Sequence, residues 1–136
     1  MLFRSSWIQR RSLKYIGFGG VGHQVRDCLH PRDLVLLLLK QLGTLTSSGP
    51  TTFNIGGGVA NSMSLAQLSA WCTERFGSHD VRGELSCRPF DAPWVVMNSE
   101  RAEAFSGWRP QVGIATILDE IAAHAQANPH WLDLSA

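Results

Sequence analysis

Leu34 to Leu39 is an unbroken aliphatic run set directly behind Pro31-Arg32-Asp33, and no other stretch so restricts what the chain can fold into. Proline fits the first helical position, where its missing N–H costs nothing, and Asp33 puts a carboxylate in the positive first turn. These signals predict a helix from Pro31 to near Leu42, with His30, an unusual residue for the role, as its N-cap. The run is apolar on every side of a helix, so the helix is expected to be buried all round. At about 1.5–3 kcal/mol per fully buried aliphatic side chain, such burial supplies on the order of 10 kcal/mol before any opposing term. A bilayer span needs about 20 apolar residues, so no membrane partner is expected.

Upstream, Gly17-Phe18-Gly19-Gly20-Val21-Gly22 fits the string G-x-G-x-x-G. In a dinucleotide fingerprint the third glycine opens a helix whose N–H groups face the pyrophosphate, and an acid about 20 residues on takes the ribose hydroxyls. Here Pro31 interrupts any helix begun at Gly22, and position 37 is a leucine. The string therefore reads as a glycine turn joining two extended runs, Lys14 to Phe18 and Gln24 to Leu29, in a hairpin. No cofactor-binding residue is assigned, and no cofactor is expected in this chain.

A length of 136 residues suits one domain, and 44% hydrophobic with 17% charged residues is an ordinary globular balance. A net charge of +1 gives no case for nucleic acid, which calls for a concentrated basic face. Arg4, Arg10, Arg11, Lys14 and Arg26 all precede the first acid, Asp27. Residues 1–13 accordingly read as a solvated leader or a helix remnant, in which Phe3, Trp7 and Ile8 need cover, and residues 14–136 as the folded domain. Cys28, Cys72 and Cys87 are odd in number without metal-type spacing, which points to a reducing, cytoplasmic compartment. His23 and His30 lie seven apart without zinc-type spacing, so no metal is expected.

Beyond the aliphatic run, Gly43 to Pro50 reads as a loop and Thr52 to Ile55 as a strand closed by Gly56-Gly57-Gly58. Those glycines either let the backbone approach a ligand closely or merely turn the chain. Ser64-Leu65-Ala66-Gln67 is a capping box opening a helix over Leu65 to Phe76, which Gly77 ends. Val81 to Arg88 reads as a strand and Trp94 to Met97 as a short extended stretch. Asn98 or Ser99 caps a brief helix over Glu100 to Phe105, and Gly107-Trp108-Arg109-Pro110 is a turn with a buried aromatic. Ile114, Ile117, Leu118, Ile121, Ala122 and Ala125 follow helical spacing, giving an amphipathic last helix that stops before Pro129. The sum is a mixed α/β fold: a small sheet of three to five short strands with about four helices.

The order of motifs resembles the C-terminal, substrate-binding part of extended short-chain dehydrogenase/reductases, in the NAD-dependent epimerase/dehydratase family. It is similar above all to the CDP-paratose/CDP-tyvelose 2-epimerase branch. The residues that carry the likeness are Gln24-Val25-Arg26-Asp27-Cys28-Leu29-His30 with Asp33-Leu34, then Phe53-Asn54-Ile55-Gly56-Gly57-Gly58 with Asn61-Ser62-Met63-Ser64-Leu65. Arg88-Pro89-Phe90-Asp91-Ala92-Pro93 and Gly107-Trp108-Arg109-Pro110 follow in the same order. What the resemblance implies is an isolated lobe that helps bind a nucleotide sugar. The family's Rossmann domain carries the NAD glycines and a catalytic Tyr-x-x-x-Lys, and here Gly19 stands four residues after Tyr15, the single tyrosine. No catalytic residue is assigned, and activity in isolation is not expected.

By the same resemblance, Arg26 and Arg88 reach the diphosphate, for which a guanidinium supplies two parallel charged donors. Asp91 is the candidate for a ribose contact, while Gln24 and Asn61 are candidates for positioning the nucleotide. The alternative is that Arg26 pairs with Asp27 or Asp33 and Arg88 with Asp91, as surface ion pairs worth under about 1 kcal/mol. Phe90 departs from the pattern, standing where the family usually has glycine. The expected partners are a CDP- or UDP-linked sugar and either a second copy of the chain or a separate Rossmann subunit. The competing function is a self-associating module without ligand binding, with Trp7, Ile8 and the strand edges near Tyr15 as its exposed surface.

Overall fold

The computed structural model describes residues 7–43, 52–86 and 89–129. In order, the elements are β1 (Leu13–Ile16), β2 (Val25–Asp27), α1 (Pro31–Gly43), β3 (Ser62–Ser64), α2 (Leu65–Phe76), β4 (Val81–Glu84), β5 (Trp94–Val95), α3 (Glu100–Ser106) and α4 (Ile114–Ala127). The fold is mixed α/β, with strands in two small sheets, β1-β4 and β3-β2-β5. Two compact units share the chain: Met1–Val25, Met63–Trp94 and Leu118–Ala136 form one, and Arg26–Ser62 with Val95–Ile117 the other.

In the first unit β1 pairs with β4 in parallel, Leu13 opposite Val81 and Ile16 opposite Glu84. Trp7, Leu13 and Cys72 make its core, with Leu68, Trp71, Phe76 and Val81 packed against them. Trp7 is 1% exposed, and its indole N–H donates to the Gly77 carbonyl at 3.1 Å. Helix α2 begins with the expected capping box: Ser64 Oγ accepts from Gln67 N at 3.1 Å, and Ser64 N donates to Gln67 Oε1 at 2.8 Å. Gly77 ends it at φ 82°, a backbone conformation that suits glycine.

In the second unit Leu37, Ala102 and Trp108 are the core, with Leu29, Phe53 and Ile55 against them. His30 does cap α1, its Nδ1 accepting from Arg32 N at 3.0 Å while its carbonyl takes the Asp33 N–H. Asp33 is fully buried. Its Oδ2 accepts from Val112 N at 3.0 Å, and its carbonyl accepts from the Trp108 indole at 2.8 Å. Lys40 Nζ donates to the carbonyls of Ser106 and Gly107 at 3.3 and 3.2 Å, closing the C-terminal end of α3. At the other end of α3 it is Asn98 Oδ1 that accepts from Glu100 N, at 2.8 Å.

Four expectations fail here, each for a reason of packing. Helix α1 is not buried all round: Leu37 and Asp33 are buried, while Leu34, Val35, Leu36, Leu38, Leu39 and Leu42 are exposed, because the described chain covers one side of it. The opening hairpin does not form, since β1 takes β4 as its neighbour and β2 lies between β3 and β5. The glycine turn, a 3-10 turn at Phe18–Gly20, thus links strands of different sheets. Thr52 to Ile55 is not in a sheet; pairing comes later, in β3, and residues 53 and 55 serve the core instead. The buried position of Trp7 also removes it from any exposed associating surface.

Candidate functional site

Two clusters contain the residues singled out above, one in each unit. In the first, the chain leaves β1 through Gly17, whose N–H donates to the Glu84 carbonyl at 3.0 Å and whose φ of 81° favours glycine. Gln24 is buried and reaches back across this turn, its Nε2 donating to the Ile16 carbonyl at 2.7 Å. Its Oε1 is buried without a hydrogen-bond partner. A Cβ placed on Gly17 would lie 3.8 Å from Asp91 Oδ2, 3.8 Å from the Ser86 carbonyl and 3.9 Å from Gln24 Nε2. The structure therefore places a carboxylate oxygen of Asp91 and the side-chain amide of Gln24 each within 4 Å of one point beside Gly17.

The rest of the glycine turn is shaped by the unit itself. A Cβ on Gly20 would stand 2.7 Å from Gly83 Cα, and one on Gly22 would stand 2.9 Å from the Tyr15 ring. The turn then leads into β2 rather than a helix, so its N–H groups are not arrayed as a fingerprint requires.

In the second unit Arg26 is exposed on β2, next to Asp27. Asp27 Oδ2 accepts from Gly58 N at 3.0 Å and from Met97 N at 3.3 Å. Ser99 Oγ accepts from Gly56 N at 3.0 Å. A Cβ on Gly56 would lie 2.3 Å from Asp27 Oδ2, and one on Gly57 would lie 1.9 Å from the Cys28 carbonyl. Close approach by the chain's own atoms thus accounts for glycine at both positions. Asn61 is buried, its Nδ2 donating to the Val112 carbonyl at 2.9 Å and its own carbonyl accepting from Cys28 N at 2.9 Å. Arg88 lies outside the described residues, and with it the Arg88–Asp91 alternative.

Sequence reading missed the part played by Asp27 and Ser99, which clamp the Gly56–Gly58 segment. The signal was an acid beside the exposed arginine and three adjacent glycines, which together require a nearby acceptor for freed N–H groups. Phe90 was flagged, and it stands out again: it is fully exposed and holds φ 60°, where a side chain is strained. Among the described residues no group of three or more His, Cys, Asp or Glu side chains converges to hold a metal ion. No helix among them is long and apolar enough to cross a membrane.

No family profile matches the chain. It is 33% identical over 94 residues to a CDP-paratose 2-epimerase of Salmonella typhi, covering 68% of this chain and 28% of that protein. A UDP-glucose 4-epimerase of Cyamopsis tetragonoloba is 28% identical over 111 residues, 79% of this chain and 31% of the relative. The chain thus spans less than a third of the length of these curated relatives. Among solved structures, the Bordetella bronchiseptica enzyme WbmF in complex with NADH superposes with a TM-score of 0.70 at 21% identity, covering 97% of this chain and 37% of that one. UDP-glucose 4-epimerase from Thermotoga maritima, solved with UDP-glucose, gives 0.65 at 22% identity, covering 85% and 35%.

Proposed function

The chain belongs to the NAD-dependent epimerase/dehydratase family of extended short-chain dehydrogenase/reductases, a C-terminal portion of which it fits, and from that premise we propose that it is the substrate-binding portion of a nucleotide-sugar epimerase. In this reading it holds a CDP- or UDP-linked sugar and does not catalyse in isolation. Arg26 and Arg88 take the diphosphate, and Asp91 accepts from a ribose hydroxyl beside the Gly17 turn. Gln24 and Asn61 act by holding backbone in place, and residues 14–136 work as one substrate-binding portion. NAD comes with the rest of the family fold, and the setting is cytoplasmic, in keeping with the thiols of Cys28 and Cys72.

The observation that carries the proposal is the Asp91 carboxylate lying beside Gly17, near which the Gln24 amide also lies, in a chain 33% identical over 94 residues to a CDP-paratose 2-epimerase. A carboxylate is an acceptor-only group, which suits a ribose diol. Calorimetric titration with CDP and UDP tests it. Heat of binding at millimolar nucleotide is expected, with Arg26→Ala weakening it about tenfold or more, as loss of a charged hydrogen bond does. Asp91→Ala is expected to weaken it less. No heat from either nucleotide with the folded chain would sink the reading.

A second reading, a self-associating module with no retained ligand binding, draws on the exposed leucines of α1. Under it the nucleotides give no heat and the chain sediments as an oligomer.

A further inference from the structure

We propose that Phe90 and Phe18 form an aromatic subsite on which the pyrimidine base of the nucleotide stacks. Among the described residues, three non-glycine positions hold a left-handed φ: Arg10 at 56°, Phe18 at 46° and Phe90 at 60°. A bulky side chain is strained there, so each position calls for a reason. Arg10 has a structural one, since its guanidinium donates to the carbonyl of Phe76 at 3.1 Å and to that of Ser78, at the end of α2. The two phenylalanines stand in water instead, Phe18 39% and Phe90 105% exposed. Such rings give the fold little cover, and backbone strain that packing does not offset is characteristic of ligand sites.

Their place in the chain identifies the group they meet. Phe18 directly follows Gly17 and Phe90 directly precedes Asp91. Asp91 Oδ2 and the Ser86 carbonyl each lie 3.8 Å from the point that a Cβ on Gly17 would occupy. Two exposed phenylalanines thus adjoin one group of acceptors, all within the first unit. The inference rests on the reading in which Asp91 takes a ribose hydroxyl. A ribose held there carries two further groups: the 5′-phosphate, whose charge is poorly placed on an apolar ring, and the base, a flat ring bonded straight to the ribose. The base is the group that matches, because every base has a π-face for an aromatic side chain to cover. The linked sugar lies two phosphates further on.

Titration calorimetry with CMP and with ribose 5-phosphate, which differ by the base alone, tests this on the wild-type chain and on Phe90→Gly. CMP is expected to bind about tenfold tighter or more, the scale of stacking one base on an aromatic side chain. Phe90→Gly is expected to weaken CMP about tenfold and to leave ribose 5-phosphate unchanged. The same variant should be folded by circular dichroism and melt no lower than wild type, since glycine adopts the left-handed backbone freely. A residue serving only the fold would show the reverse, with stability lost and CMP affinity kept. Phe90→Tyr, which keeps the ring, should keep the affinity for CMP, and Phe18→Ala should weaken it by a smaller factor. Four results overturn the proposal: CMP binding wild type no tighter than ribose 5-phosphate, or Phe90→Gly leaving CMP affinity unchanged, tightening it as removal of an obstruction would, or weakening both ligands alike. Those results leave the reading of Asp91 standing, whereas failure of both ligands to bind removes that reading and the aromatic subsite together.

Discussion

Helices α1 and α4 are 13 and 14 residues long and both rich in aliphatic side chains, but they meet water differently. In α4, Ile117, Leu118, Ala122 and Ala125 are buried at helical spacing, Ile121 is half-buried and the other positions between are exposed, so the pattern and the cover agree. In α1 the apolar pattern runs round the helix and the cover does not: Leu37 is buried and its neighbours Leu36 and Leu38 are exposed. A periodic stripe thus reports which face its own chain covers, whereas an unbroken aliphatic run reports more cover than its own chain supplies.

The comparison breaks most decisively under a charge placed on each helix. Ala122→Asp puts an unpaired carboxylate in a buried site and is expected to destabilise by about 3 kcal/mol or more in chemical denaturation. Leu38→Asp, on the exposed side of α1, is expected to change stability by less than about 1 kcal/mol. Equal losses would erase the distinction. Within α1, Leu37→Ala sharpens it: deletion at this buried position is expected to cost about 2–5 kcal/mol by the usual range for core truncations, against a few tenths for Leu39→Ala.

Smaller effects come from exposed positions in the first unit. Phe90 holds φ 60° with its side chain in water, so Phe90→Gly is expected to stabilise by about 1 kcal/mol through relief of left-handed strain. A raised melting temperature without loss of secondary structure is the measurement. Smallest is the pair Lys14–Glu84, at 3.0 Å between β1 and β4. The hydrogen bond from Lys14, and then its charge, hold the Glu84 carboxyl below the ordinary carboxylate value. A depressed carboxyl contributes stability above its unfolded pKa and loses it as pH falls through the folded value. Lys14→Met should return the Glu84 titration, followed by NMR, toward the ordinary range.

Local signals carried much of the fold. The Ser64–Gln67 box, Gly77 after α2, the buried Trp108 and the stripe of α4 each depend on contacts a few residues apart or on one period, and each stands where the sequence puts it. What failed depends on distant partners. Nothing within Lys14 to Leu29 tells β1 to pair with β4, some 70 positions on, instead of β2. Leu34 to Leu39 announces burial but not by what. The site divides in the same way: Arg26, Asn61, Gln24 and Asp91 were picked out by the resemblance of the motifs that contain them. The placing of Gln24 and Asp91 beside Gly17, and the clamp of Asp27 on Gly58, required coordinates.

The central proposal is that this chain carries the side of the fold that meets a nucleotide sugar and leaves the dinucleotide to the portion it does not match. Parallel calorimetric titrations of the wild-type chain with CDP and with NAD test it most directly. The account predicts saturable heat from CDP and none from NAD at the same concentrations; saturable heat from NAD with none from CDP would contradict it.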